Sequence, residues 1–214
     1  NKWIQNNRKF YGVGWEAYPT SIRIVNWIKW NFKGALFSQI INESLFSQSQ
    51  FLFNNVEKHL LGNHILTNAK ALIFAGLFFD GVEADKFYRK GIKIFIQEIE
   101  EQILEDGAHF ELSPMYHSLV LEDFLDIKNI HDKYSKKLSI NLDNIIKKML
   151  YWLDCLSHPD NKISFFNDAA LNICPNIFDL KKYVKRLKVE TIKRPMKFQH
   201  LEDSGFVYYE NLDA

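Results

Sequence analysis

HLLGNHILTNAKALIFAG, from His59 to Gly76, is the stretch from which the rest of the chain is read. Its second half, Ala69 to Gly76, is apolar but for Lys70, which suits a buried helix rather than a surface one. The same run continues to about Phe78, long enough for a helix and too long for a typical strand. Gly62 reads as the terminator of the preceding helical run. Asn63 and His64 then stand where the next helix begins, an amide and an imidazole side by side. Asn63 has an ordinary reading as an N-cap, and His64 as a surface or core histidine without a role.

Helical periodicity extends outward in both directions. In YPTSIRIVNWIKWNF, Pro19 and Thr20 are entry signals, and Ile22, Val25, Ile28 and Phe32 recur at helical spacing. Residues 36–61 hold one long or two shorter helices. Asp80-Gly81 is a turn. Ala84 to Leu104 is amphipathic through Phe87, Ile94, Ile96, Ile99 and Ile103. EDGAHFELSP, Glu105 to Pro114, interrupts it. Ser113 is the expected N-cap of a further helix, with Pro114 at its first position and an end near Tyr134. Asn141 to Leu156 is the last clear helix. The segment after it, with SHPDNK and FFNDAALNICPN, is loop-rich up to about Lys193. After Lys193 the pattern changes: Asp203-Ser204-Gly205 is a turn, followed by a β-type run from Phe206 to Tyr209.

Composition bounds the function. The chain has 214 residues, 47% of them hydrophobic and 15% aromatic, enough for a real core and against disorder. A net charge of +1 argues against nucleic acid or an anionic membrane as partner. No apolar run has the length of a membrane span. Cys155 and Cys174 are too few for a disulfide framework and read as one bridge or as buried thiols, the thiols being the preferred reading. The chain begins at Asn1 without Met or signal peptide, as expected of a fragment or mature form. There is no phosphate-binding glycine loop, nucleophile elbow or H-E-x-x-H motif. The lysine pairs Lys136-Lys137, Lys147-Lys148 and Lys181-Lys182 read as solvated faces.

Short connections make successive helices antiparallel. The helices starting at Asn63 and Pro114 are separated by one other, so they point the same way and their N-terminal ends are expected on one rim. Asn63 and His64 stand at one end, Tyr116 and His117 in the first turn of the other. Unpaired N–H groups and helix dipoles favour an anion there by roughly 0.3–1 kcal/mol per helix end. An amide, two imidazoles and a phenol beside such a rim suit a carboxylate-bearing ligand.

YPTSIRIVNW, NHILTNAKALIFAGLFF, EQILEDGAHFELSPMYH and FFNDAA, in this order, resemble the heparinase II/III family of polysaccharide lyases, related to alginate lyases. The resemblance runs from about Tyr18 to the end. It implies an all-α fold: an incomplete α/α toroid of antiparallel helical hairpins over residues 1–193. Residues 194–214 would be a linker and the first strands of a truncated β-sandwich domain. It also implies β-elimination on a uronic-acid polysaccharide. By that resemblance Asn63 binds the uronate carboxylate, Tyr116 transfers a proton and His64 assists. His117, Glu111, Arg23 and His109 are expected to bind substrate, and Arg23 also has the reading of a partner that steadies the Glu111 loop. A further acid–base histidine of the family comes from the β domain, and no motif equates His200 with it. Neither metal nor other cofactor is expected, and the resemblance suggests a periplasmic or secreted protein. The near-neutral charge favours a less charged uronate glycan over a heavily sulfated one. The competing readings are a non-catalytic glycan-binding or polysaccharide-assembly protein, and a glycoside hydrolase on an α/α scaffold. The latter would pair Glu111 with Asp168 across a cleft.

Overall fold

The computed structural model describes residues 2–58, 60, 62–194 and 197–210. Contacts divide the chain into two compact units, residues 1–98 and 99–214.

The first unit opens with α1 (Lys2–Asn6) and a short 3-10 turn (Val13–Trp15), then α2 (Ala17–Phe32), α3 (Gln39–Asn54) and α4 (Asn63–Phe78). α5 (Val82–Gln102) follows and runs across the division at Glu98. α4 is buried on nearly all sides, from Ile65 to Ala75, and takes Thr67, Asn68 and Lys70 into the interior with its apolar residues. Two glycines let α4 and α5 approach closely. A Cβ on Gly76 would lie 2.5 Å from Tyr88 N, and one on Gly91 2.9 Å from Ala69 O. α4 also carries the buried Asn68, whose Nδ2 donates to Ser21 Oγ on α2 at 3.1 Å and whose Oδ1 accepts from Glu57 N at 3.0 Å.

Several sequence expectations shift here. α2 begins at Ala17, ahead of Pro19, and buries Thr20, Ser21, Ile24, Val25 and Ile28. Ile22, expected inside, is 41% exposed. The small hydroxyl residues lie on the face that packs closely against α4, and they displace the stripe. α3 is a single helix that stops at Asn54. Gly62 therefore terminates no helix: with φ 82° it leads directly into α4 as its N-cap.

In the second unit, α6 (Pro114–Lys133), α7 (Leu142–Cys155) and α8 (Ile177–Arg186) pack on one another. Ser113 stands at the N-cap of α6 with Pro114 inside the first turn, as expected. Asn141 caps α7 through a side-chain bond from Asn144 N. α8 falls in a region read as loop. Asn176 caps it, and Ile177, Leu180 and Val184 form its buried stripe.

The expected strand from Phe206 to Tyr209 is present as β2, paired antiparallel with β1 (Phe198–Leu201). The hairpin is not free-standing. Leu201 and Tyr208 join Ala108, Trp152, Cys155 and Leu156 in one apolar cluster. Ser204, in the turn, accepts from Trp152 Nε1 at 2.9 Å and donates to Asp106 Oδ2 at 2.6 Å. Cys155 and Cys174 are free thiols. No helix among the described residues is long and apolar enough to cross a membrane.

Candidate active site

In the first unit the site is built on the start of α4. Gly62 has no side chain, so the Asn63 amide at the first helical position is not the N-terminal cap. The ordinary reading of Asn63 as a cap is thereby removed, and its amide stands half-buried beside the N–H groups of the first turn. His64 stacks on Tyr18 of α2, ring centroids 4.3 Å apart. Its Nδ1 lies 3.4 Å from Glu57 Oε2, with the imidazole 36% exposed. That nitrogen is buried and the contact is not aligned as a hydrogen bond. Glu57 is in turn fixed by Asn68 through its backbone N–H.

Arg23 sits on α2 and is held within this unit. Its guanidinium lies 3.7 Å over the Trp3 ring, Nε donates to Gln48 Oε1 at 2.6 Å, and Nη2 donates to Thr20 Oγ1 at 3.2 Å. Burial lowers its pKa to about 10. With two of its donors and one face engaged, Arg23 is set up as a packing residue.

In the second unit the EDGAHFELSPMYH segment wraps into the start of α6. Asp106 accepts from Ala108 N at 3.0 Å, closing a tight turn. Gly107 has φ 94°, and a Cβ there would meet the Lys148 carbonyl at 2.5 Å, so the turn lies flat on α7. Tyr116 stands half-buried in the first turn of α6. His117, one residue on, faces the opposite environment: it is fully buried. Its Nε2 donates to Met149 O at 2.9 Å and its Nδ1 accepts from His109 N at 3.1 Å. Its ring lies 4.6 Å from Trp152. Burial holds it neutral, with its pKa lowered to about 3.

This corrects the expectation that His117 binds substrate. Both its nitrogens are committed to main-chain groups, and it pins the loop to α6 and α7. His109 is corrected because it too is sealed from solvent. It is fully buried, and its Nε2 lies 3.0 Å from Gln102 Oε1. Burial lowers its pKa to about 4. Its Nδ1 is buried with no hydrogen-bond partner among the described residues.

Glu111 is half-buried, and its carbonyl accepts a long 3.4 Å bond from Asn167 Nδ2. Asp168, its partner in the hydrolase reading, is exposed at φ 58°. Tyr18, Glu57, Gln102 and Asp106 were not foreseen. Each acts through a residue distant in sequence, and nothing in its local pattern marks it. Among the described residues no three His, Cys, Asp or Glu side chains form a metal-holding group.

Comparison with known proteins places this architecture. The sequence matches the Heparinase II/III N-terminus family over residues 12–187, and the chain belongs to that family. It is 36% identical over 113 residues to a heparin-sulfate lyase of Bacteroides stercoris, covering 51% of this chain and 17% of the relative. It is 28% identical over 147 residues to a heparin-sulfate lyase of Pedobacter heparinus, covering 64% of this chain and 21% of the relative. The chain thus spans about a fifth of the length of these relatives. Among solved structures, heparinase III superposes with a TM-score of 0.72 at 23% identity, covering 98% of this chain and 35% of that one. Heparan sulfate lyase HepC from Pedobacter heparinus gives a TM-score of 0.63 at 20% identity, covering 96% and 36%. These likenesses show the fold class expected from the sequence, the α/α-toroid portion.

Proposed function

We propose that this chain is the N-terminal helical part of a polysaccharide lyase that cleaves an acidic polysaccharide by β-elimination. The carrying observation is the Asn63 amide, released from capping by Gly62 and held at a helix N-terminus beside a half-exposed imidazole.

Elimination removes the proton at C5 of a uronate. The electron pair passes into the carboxylate as an enediolate, then forms the C4–C5 double bond as the C4–O bond breaks. The leaving oxygen takes a proton. The C5 proton is weakly acidic while the carboxylate is charged, so donors to the carboxylate lower the barrier most. A neutral amide and a helix N-terminus match that task. Tyr116 carries the proton. It is half-buried, whereas His117 beside it is sealed away. A phenol carries an O–H that can be donated to the leaving oxygen. This reading gives the uronate carboxylate to Asn63 and the proton to Tyr116, with His64 as helper. The hairpin of β1 and β2 would open the β-sandwich domain that supplies the remaining acid–base histidine. The relatives are named for heparin-sulfate lysis, which moves the substrate from a weakly charged uronate glycan toward a sulfated glycosaminoglycan.

The test is digestion of a panel of uronate polymers by the full-length protein, followed by ultraviolet absorbance. Elimination creates a conjugated double bond that absorbs. New reducing ends without absorbance would establish hydrolysis instead, and no cleavage of any polymer would favour a glycan-binding role.

A further inference from the structure

The lysines around α8 do more than solvate a helix. Between Lys181 and Arg194 the sequence holds seven basic residues and one acidic one, Glu190, in a chain whose net charge is +1. The buried stripe Ile177, Leu180 and Val184 fixes which way α8 faces. Lys181, Lys185 and Lys188 follow one another at i, i+4 and i+7, and so share one side of the helix. The chain then turns back and brings Lys193 and Arg194 to the same place. Together these five cations line a hollow of about 610 Å³ within the second unit, floored by Leu150 and Val189.

Acid in the hollow is already engaged. Asp154 pairs with Lys181 at 2.7 Å, and Glu190, 89% exposed, lies 3.7 Å from Lys147. Lys185, Lys188 and Lys193 are exposed and form no ion pair among the described residues. Arg194 lies 4.3 Å over the Tyr208 ring, with its Nε buried and without a hydrogen-bond partner among the described residues. Cations in the last turn of a helix are favoured by its dipole, which accounts for Lys185 and Arg186. It does not account for Lys193 and Arg194, which come from beyond the helix. Like charges gathered around one concavity repel one another, and an anion relieves that repulsion.

We infer that this hollow is a second, non-catalytic polyanion site that holds a sulfated segment of the polysaccharide while the chain is cut elsewhere. The assignment to polysaccharide rests on the lyase reading; the anion site itself rests on the lysine cluster. Spaced point charges with water between them suit sulfate groups repeated along a flexible chain. The site is electrostatic, so binding falls steeply with salt.

The experiment measures binding of labelled heparan sulfate oligosaccharides by fluorescence anisotropy, using full-length protein in a Tyr116→Phe background so that the probe stays intact. Lys185→Ser, Lys188→Ser and Lys193→Ser are combined and compared with a charge-matched control, Lys2→Ser, Lys33→Ser and Lys93→Ser. Three lost contacts should weaken binding at least about tenfold and make the salt slope shallower by about 2, while the control changes little. In the otherwise native protein the triple variant should cleave short oligosaccharides at the native rate and lose efficiency only on long chains. Unchanged binding, or an equal loss in the control, overturns the site. Equal affinity for unsulfated hyaluronan overturns the sulfate assignment, and preference for single-stranded nucleic acid overturns the polysaccharide assignment. If the native protein cleaves no uronate polymer yet the triple variant still loses heparan sulfate binding, the site stands and the lyase reading falls.

Discussion

Acid should unfold the second unit early, through two histidines. His117 and His109 are buried neutral, with pKa values lowered by burial to about 3 and about 4. In the unfolded chain both return to about 6.5. The unfolded state therefore binds protons that the native state excludes. Stability is fully present above pH ~6.5 and is lost as the pH falls toward the folded values. Each such group removes about 1.4 kcal/mol per pH unit within its window, so the pair removes up to about 2.7. His131, buried and lowered in the same direction, adds to the slope. Acidification from about pH 7.5 to 5.5 then costs roughly 2–3 kcal/mol, a large part of a typical ~5–15 kcal/mol. Carboxylates contribute little there, because their unfolded pKa values lie near ~4. Trp152 is the single tryptophan of residues 99–214 and lies against His117, so its signal reports this unit. The urea midpoint followed through Trp152 should fall by about 1–2 M across that pH range. The double variant His109→Gln, His117→Gln should start lower and keep only the shallower slope left by His131. A native midpoint that does not move, or a double variant with the native slope, would refute the neutral-core account of these residues.

Tyr116→Phe keeps the ring and deletes the proton carrier; turnover should fall by about two orders of magnitude with an unchanged urea midpoint, and turnover within a few fold of native would remove Tyr116 from the chemistry. Asn63→Ala should likewise abolish most turnover but cost less than about 0.5 kcal/mol in thermal or urea stability, because Gly62 holds the cap position. A loss near ~1 kcal/mol or more would instead mark Asn63 as a structural cap. Gly76→Ala places a methyl 2.5 Å from Tyr88 N and should destabilise the first unit by about 1–3 kcal/mol in urea unfolding; a neutral outcome would mean that α4 and α5 are less closely packed than described.

How much of this was legible beforehand differs from element to element. α6 and α7 carry clear cap residues and α4 a long apolar run, and the ends of all three fall within a residue or two of expectation. α8 was equally legible in principle, with Asn176 before Ile177, Leu180 and Val184, but ten residues of pattern were lost among flanking loop signals. The buried polar residues were illegible. Glu98 and Gln102 occupy inward positions of α5 where the pattern offered Ile96, Ile99 and Ile103. A polar side chain becomes a core residue only when a partner elsewhere satisfies it. His117 shows why: its imidazole is satisfied by the carbonyl of Met149, 32 residues later. Sequence gave Tyr116 and His117 the same neighbourhood, and one helical step separates a half-exposed phenol from a sealed imidazole.

The bond from Ser204 to Asp106 joins residues 98 apart. On the ribosome, that span sets an order of events. The turn that leads into Tyr116 emerges long before the residue that ties it down, and at ~5–20 residues per second the wait is several seconds to about twenty. Closing so long a loop costs on the order of 4 kcal/mol in chain entropy, so the tie forms late, after α6 and α7 have packed. The helix that carries Tyr116 thus acquires its final clamp only when β1 and β2 arrive, so α6 stays untied at its leading turn until the chain has been made nearly to its hairpin's end.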